Sequence, residues 1–244
     1  MGITSQLLGV RARKQSPWLA RFAVVADRLV AVHGVPTLGN FRDPVKEVFY
    51  ILLSAKTTDA QYRKTHGKLW KTFRHLRALA DAPVEDIRRC IESGGLAVKR
   101  ASQIRRTAQT LLAAGGERPA KYLKSLDHRR AFEFLRGLPG MGPKSALCVL
   151  MYSLSADAFP VDVNVQRIAA RMGAIRAGLK HYHAQRLLAS VVPDGRCKDL
   201  HIAMVVHGRK VCLPREPKCG SCPLVDLCRR GRKELAAGGT ANET

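Results

Sequence analysis

Residues 138–146 read LPGMGPKSA and lie between two apolar stretches, so neither can run on through them as one regular element. Pro139, Gly140 and Gly142 are helix breakers, and glycine lets a backbone turn tightly and come close to a ligand. A short turn of this kind joins two helices at a fixed angle, and the second helix then presents its unpaired N–H groups and positive dipole end to an anion. The same punctuation recurs along the chain. Ser16 and Pro17 open a helix whose Leu19, Phe22, Ala23, Ala26 and Leu29 keep helical spacing before Gly34 closes it. Asp43-Pro44 opens another, Thr58 or Asp59 a third, and Gly94-Gly95 and Gly115-Gly116 read as C-terminal caps. No strand-like alternation and no fixed-period repeat interrupts the pattern, so the fold class is all-α.

Charge narrows the partner. Forty-two Lys and Arg face 19 Asp and Glu, a formal net charge of +23. A surface tuned for solubility would mix the signs, so the excess points to a polyanion. No strongly apolar helix face accompanies it, which favours nucleic acid over membrane. Aromatic residues make up only 6% of the chain, too few for a single-strand stacking groove. No apolar run reaches the length of a membrane span, and the N-terminal residues lack the apolar stretch of a secretory signal. A cytoplasmic, nucleoid-associated protein is therefore expected.

Four of the seven cysteines fall within residues 212–228, spaced Cys-x6-Cys-x2-Cys-x5-Cys as Cys212, Cys219, Cys222 and Cys228. In a reducing compartment such crowding indicates a metal before disulfides. Four thiolates suit either zinc or an iron–sulfur cluster, and ligand type alone does not separate them. Cys90, Cys148 and Cys197 sit in apolar helical stretches and read as small core residues.

These residues carry a family resemblance. LPGMGPKSA followed by FPVDVNVQR resembles the helix-hairpin-helix and acidic loop of the endonuclease III family of DNA glycosylases, with Lys144 and Asp162 at its Lys and Asp positions 18 residues apart. Upstream, LLSAKTTD resembles a family helix junction and GGLAVKRA a family loop, and the cysteine spacing resembles the family's [4Fe–4S] loop. The likeness spans about residues 17–230. It implies that Lys144 is a nucleophile and Asp162 an electrostatic partner for an oxocarbenium-like state. Lys144 as a phosphate contact and Asp162 as a plain helix cap are the structural alternatives. By the same analogy Leu96 is an apolar wedge filling the gap left by a flipped base, the alternative being a core leucine, and the helix junction supplies a second filler. The chain departs from the family at that filler, with Lys56 where Gln is common, and at Asn164, where His often stands.

The resemblance implies two helical lobes flanking a DNA-binding cleft: a six-helix barrel over residues 38–156, and an iron–sulfur lobe from residues 16–37 and 157–232. Residues 1–15 are expected to be a flexible basic tail and 233–244 a disordered one. Besides Lys56 and Leu96, the expected DNA contacts are Gly140 and Gly142 in the hairpin and Arg215 and Lys218 in the first cysteine loop. The implied protein is a monomeric base-excision glycosylase with abasic-site lyase activity, removing damaged pyrimidines from double-stranded DNA and holding a [4Fe–4S] cluster. A glycosylase for adenine or for mismatched uracil or thymine, and a non-catalytic lesion binder, remain as alternatives.

Overall fold

A computed structural model describes residues 2–11, 13, 15–92 and 96–239. In chain order its helices are α1 (Ile3–Leu7), α2 (Pro17–His33), α3 (Pro44–Ser54), α4 (Asp59–Phe73), α5 (Leu76–Asp81), α6 (Val84–Ile91) and α7 (Ala97–Gly115). They continue as α8 (Pro119–Ser125), α9 (His128–Gly137), α10 (Pro143–Ser153), α11 (Val163–Met172), α12 (His181–Ala189), α13 (Cys197–Lys210) and α14 (Arg229–Gly239). Two 3-10 turns, Cys219–Ser221 and Val225–Leu227, lie in the cysteine region. Among the described residues there is no strand, and no helix is long and apolar enough to cross a membrane.

Local chemistry explains most helix starts. The Ser16 hydroxyl accepts from the Trp18 N–H, Asp43 from Val45 and Lys46, and Asp127 from Arg130, each with a side-chain oxygen replacing a missing helical acceptor. Pro17, Pro44, Pro119 and Pro143 occupy first-turn positions where no N–H is needed. Pro83 separates α5 from α6. The Gly94-Gly95 cap lies outside the described residues.

The chain divides into two compact units, Gly39–Ala156 and a second one formed by Met1–Leu38 with Asp157–Thr244. In the first, α3 is apolar nearly all round and buried from Pro44 to Leu53 apart from Lys46, with α4, α7, α8 and α10 packed about it. In the second, α13 packs against α2 and α11, and Phe22, Val25, Leu29, Val165, Ile168, Leu200 and Met204 form the core. Each such side chain, fully buried, contributes about 2 kcal/mol of transfer free energy.

The flexible tail expected over residues 1–15 is revised in its first turns. Ser5 donates to the Ala189 carbonyl at 2.5 Å, and Thr4 Oγ1 accepts from the Phe159 N–H at 2.8 Å, both in buried positions. The tail's polar residues are consumed by an otherwise unpaired buried backbone, which holds α1 in place. Residues 233–239, also expected to lack structure, continue α14, where Glu234 pairs with Arg230 one turn earlier.

Candidate functional site

In the unit Gly39–Ala156, Leu138 and Met141 are buried and joined by a 3.0 Å bond from the Met141 N–H to the Leu138 carbonyl, which clamps the turn between α9 and α10. Gly140 adopts φ +83°, a conformation costly for any residue with a Cβ. Gly142 caps α10 with an ordinary φ of −99°, and open space surrounds it, so its part is to leave the helix N-terminus uncovered. Lys144 follows in the first turn of α10, half-buried, beside peptide N–H groups that have no helical acceptor. Glu47, fully buried in the first turn of α3, lies within reach of its charge. That carboxylate accepts from Asn40 Nδ2 at 2.6 Å and from the Phe41 N–H at 2.8 Å. Burial nevertheless pushes its pKa up to about 7, against the pull of those two bonds and of Lys144.

The junction from α3 to α4 and the entry to α7 hold two further residues singled out by sequence. Lys56 is exposed at φ +54°, and Leu96 at φ +53° is 54% exposed immediately before α7. Leu96 is therefore no core leucine. Gly94 and Gly95, the start of that loop, lie outside the described residues.

In the other unit, an extended buried segment leads to Asp162. Its backbone is satisfied by side chains from three helices. Gln185 donates to Phe159 O and accepts from the Val161 N–H, both at 2.8 Å, Thr4 takes the Phe159 N–H, and His201 Nδ1 lies 2.8 Å from Pro160 O. Asp162 caps α11, its Oδ1 accepting from the N–H groups of Asn164 at 2.9 Å and Val165 at 2.8 Å. Its Oδ2 accepts from Asn164 Nδ2 at 2.9 Å. Asn164 Oδ1 in turn accepts from Arg167 Nη2 at 2.8 Å, and Arg167 also donates to Gly208 O and Cys212 O at 2.8 and 3.0 Å. The departure at Asn164 thus has a local account, since an amide donates to the carboxylate and accepts from a guanidinium at once. Sequence reading missed Arg167, Glu47 and Gly208. Only the Asp-x-Asn step at a helix start hinted at the first of these.

Cys212, Cys219, Cys222 and Cys228 line one pocket, together with Arg171, Lys218, Arg230 and others. All seven cysteines are free thiols, and Cys90, Cys148 and Cys197 are buried. Among the described residues no three His, Cys, Asp or Glu side chains converge on a single metal ion. Donors face two of the sulfurs, Arg171 Nη1 at 3.2 Å from Cys212 Sγ and the Gly231 N–H at 3.4 Å from Cys228 Sγ, and His207 Nε2 lies 3.5 Å from Cys222 Sγ. Burial pushes the Cys222 thiol up to about 11, so a thiolate there requires an added positive centre. Arg215 and Lys218 are exposed on the first cysteine loop, which Arg171 anchors through the Leu213 and Pro214 carbonyls at 2.6 and 2.8 Å.

Comparison with known proteins gives a consistent picture. The family described as HhH-GPD superfamily base excision DNA repair protein matches residues 49–194. Endonuclease III of Escherichia coli (strain K12) is 32% identical over 195 residues, covering 80% of this chain and 87% of the relative. Endonuclease III of Bacillus subtilis (strain 168) is 29% identical over 197 residues, covering 80% and 85%. Among solved structures, a trapped endonuclease III–DNA covalent intermediate superimposes with a TM-score of 0.78 at 26% identity, covering 89% of this chain and 98% of that one.

Proposed function

The chain belongs to the HhH-GPD superfamily of base excision DNA repair proteins, and from that premise we propose that Lys144 and Asp162 carry its chemistry. It is a DNA glycosylase with abasic-site lyase activity, acting on DNA. The observation that carries the assignment of Lys144 is its place in the first turn of α10, directly after the Gly140 turn. Only the neutral amine has a lone pair to give.

The amine nitrogen attacks the sugar C1′. The glycosidic bond breaks, and its electron pair leaves with the base, which takes up a proton. Asp162, held by two backbone N–H groups and the Asn164 amide, offsets the positive charge that develops on the sugar. The bound nitrogen gives up a proton and the C1′–O4′ bond opens, its electron pair taking up a proton on O4′, which leaves a covalent iminium that then loses a proton from C2′. The C3′–O bond breaks with its electrons on the departing 3′ phosphate, and water regenerates the lysine.

The proposed substrates are oxidised or ring-damaged pyrimidines and abasic sites in duplex DNA, met by the protein as a monomer at the nucleoid. Lys56 and Leu96 are the gap-filling residues, Gly140 and Gly142 open the hairpin N–H groups to a phosphate, and Arg215 and Lys218 reach another. The four thiols fit a [4Fe–4S] cluster: they line one pocket, donors face the Cys212 and Cys228 sulfurs, and their spacing is that of the family loop. Such a cluster, when bound, supplies a covalent cross-link between the ends of the cysteine loop.

Borohydride trapping on a duplex with one abasic site tests the nucleophile. The intact protein should yield a covalent adduct and Lys144→Gln none. An adduct that survives this substitution would remove Lys144 from its role, and base release by an intact protein that never traps would remove the lyase step.

A further inference from the structure

The two exposed turn residues, Lys56 and Leu96, are 40 positions apart in sequence, yet one residue bonds to the Leu96 carbonyl through its backbone and to the carbonyls just before Lys56 through its side chain. Arg100 lies one turn into α7, only 4% exposed. Its backbone N–H donates to the Leu96 carbonyl at 3.0 Å. Its guanidinium donates to the Leu53 carbonyl at 3.0 Å and to the Ala55 carbonyl, the last acceptors of α3 before Lys56. These are orphan carbonyls at the negative end of a helix, where a planar cation with several fixed donors is the matching partner. Each of the two residues it flanks sits in the left-handed region, Lys56 at φ +54° and Leu96 at φ +53°. Non-glycine residues hold that conformation only when their surroundings impose it. Apolar surface is concentrated beside it, since Leu96 is 54% and Val98 75% exposed.

We propose that Arg100 is a positioning residue that locks the Lys56 and Leu96 turns into one rigid, two-pronged element, so that both enter a duplex in fixed register when a base is turned out. This rests on the reading of Lys56 and Leu96 as gap fillers and names what aligns them. Lysine at position 100 keeps the charge and most of the length but loses the fork that reaches two carbonyls at once.

The test measures base release from thymine glycol placed either in a fully paired duplex or in single-stranded DNA, where no base needs to leave a stack. Arg100→Lys should lower kcat on the paired duplex about 10- to 100-fold, the range expected when a positioning element slips by about an ångström. KM should change little, and the single-stranded substrate should lose no more than about 2-fold. In a Leu96→Ala background the same change should cost far less than in the intact protein, since both act through one element. Equal losses on both substrates, or additive effects with Leu96→Ala, would show a merely structural role and overturn the proposal. Undiminished paired-duplex activity in Arg100→Lys, with Leu96→Ala impaired, would overturn it while leaving the gap-filling reading intact. Leu96→Ala and Lys56→Ala variants that both match the intact protein would overturn that reading, and the proposal with it.

Discussion

Gly208 sits buried in the last turn of α13, where an alanine would ordinarily stabilise a helix by about 0.5–1 kcal/mol. Here a Cβ would lie 2.7 Å from Asn164 Cβ, 2.8 Å from Asn164 Oδ1 and 3.0 Å from Arg167 Nη2. The missing side chain makes room for the pair of residues that holds Asp162. Gly208→Ala is therefore expected to reverse the usual sign and cost about 1–3 kcal/mol, as overpacking does, measured by urea denaturation. It should also slow base release, because the Asn164 amide must move and the carboxylate moves with it. A variant as stable and active as the parent would show that the Asn164–Arg167 pair tolerates displacement. Gly140 is a different case: its φ of +83° requires the backbone freedom of glycine whatever space surrounds it.

At the scale of the element, α3 is a buried helix that carries a carboxylic acid into the core. Glu47 serves the segment before it, accepting from Asn40 and Phe41, while Ser153 at the end of α10 donates to the Phe41 carbonyl at 2.6 Å. With its pKa raised from an ordinary 4.5 to about 7, Glu47 binds its proton more tightly in the folded state than in the unfolded chain. Its contribution to stability is complete below about pH 4.5 and is lost as pH climbs toward 7, by on the order of 3 kcal/mol. His66 works in the opposite sense. Its ring packs tilted against Phe41 and edge-on to Tyr50, and burial lowers its pKa to about 4. What it contributes is present above pH 6.5 and falls away as pH drops toward 4. Glu47→Gln should flatten the decline between pH 5 and 7 while leaving the acid limb, as followed by urea midpoints across pH. An unchanged profile would mean that Glu47 titrates as an ordinary surface acid. The burial of this residue was not legible beforehand, since helical periodicity marks a Glu as outward-facing by default.

For the whole molecule, charge governs encounter with DNA. A net +23 with exposed Arg215 and Lys218 on an anchored loop predicts affinity dominated by counterion release. Binding to an undamaged duplex should weaken about a thousandfold or more between 50 and 200 mM salt if six or more phosphates are neutralised. Lys218→Ala should reduce the slope by about one and weaken damaged and undamaged duplexes alike. A flat salt response in fluorescence anisotropy would contradict phosphate contact as the source of affinity.

The helices between the tails, their starts at Ser16, Asp43 and Thr58, the hairpin turn and the cysteine spacing were written in the sequence, because each depends on residues within a few positions of one another. Capping, proline placement and ligand spacing are local physics. Tertiary structure decided which distant groups satisfy one another. Arg100 reaches carbonyls 45 and 47 residues away, and Arg167 reaches carbonyls 41 and 45 residues away. Thr4 finds the Phe159 N–H across 155 positions, turning an expected loose tail into part of the support for the Asp162 segment. A buried polar group must be paired, but the sequence names the group without naming its partner. Only the packing of the helices brings donor and acceptor together.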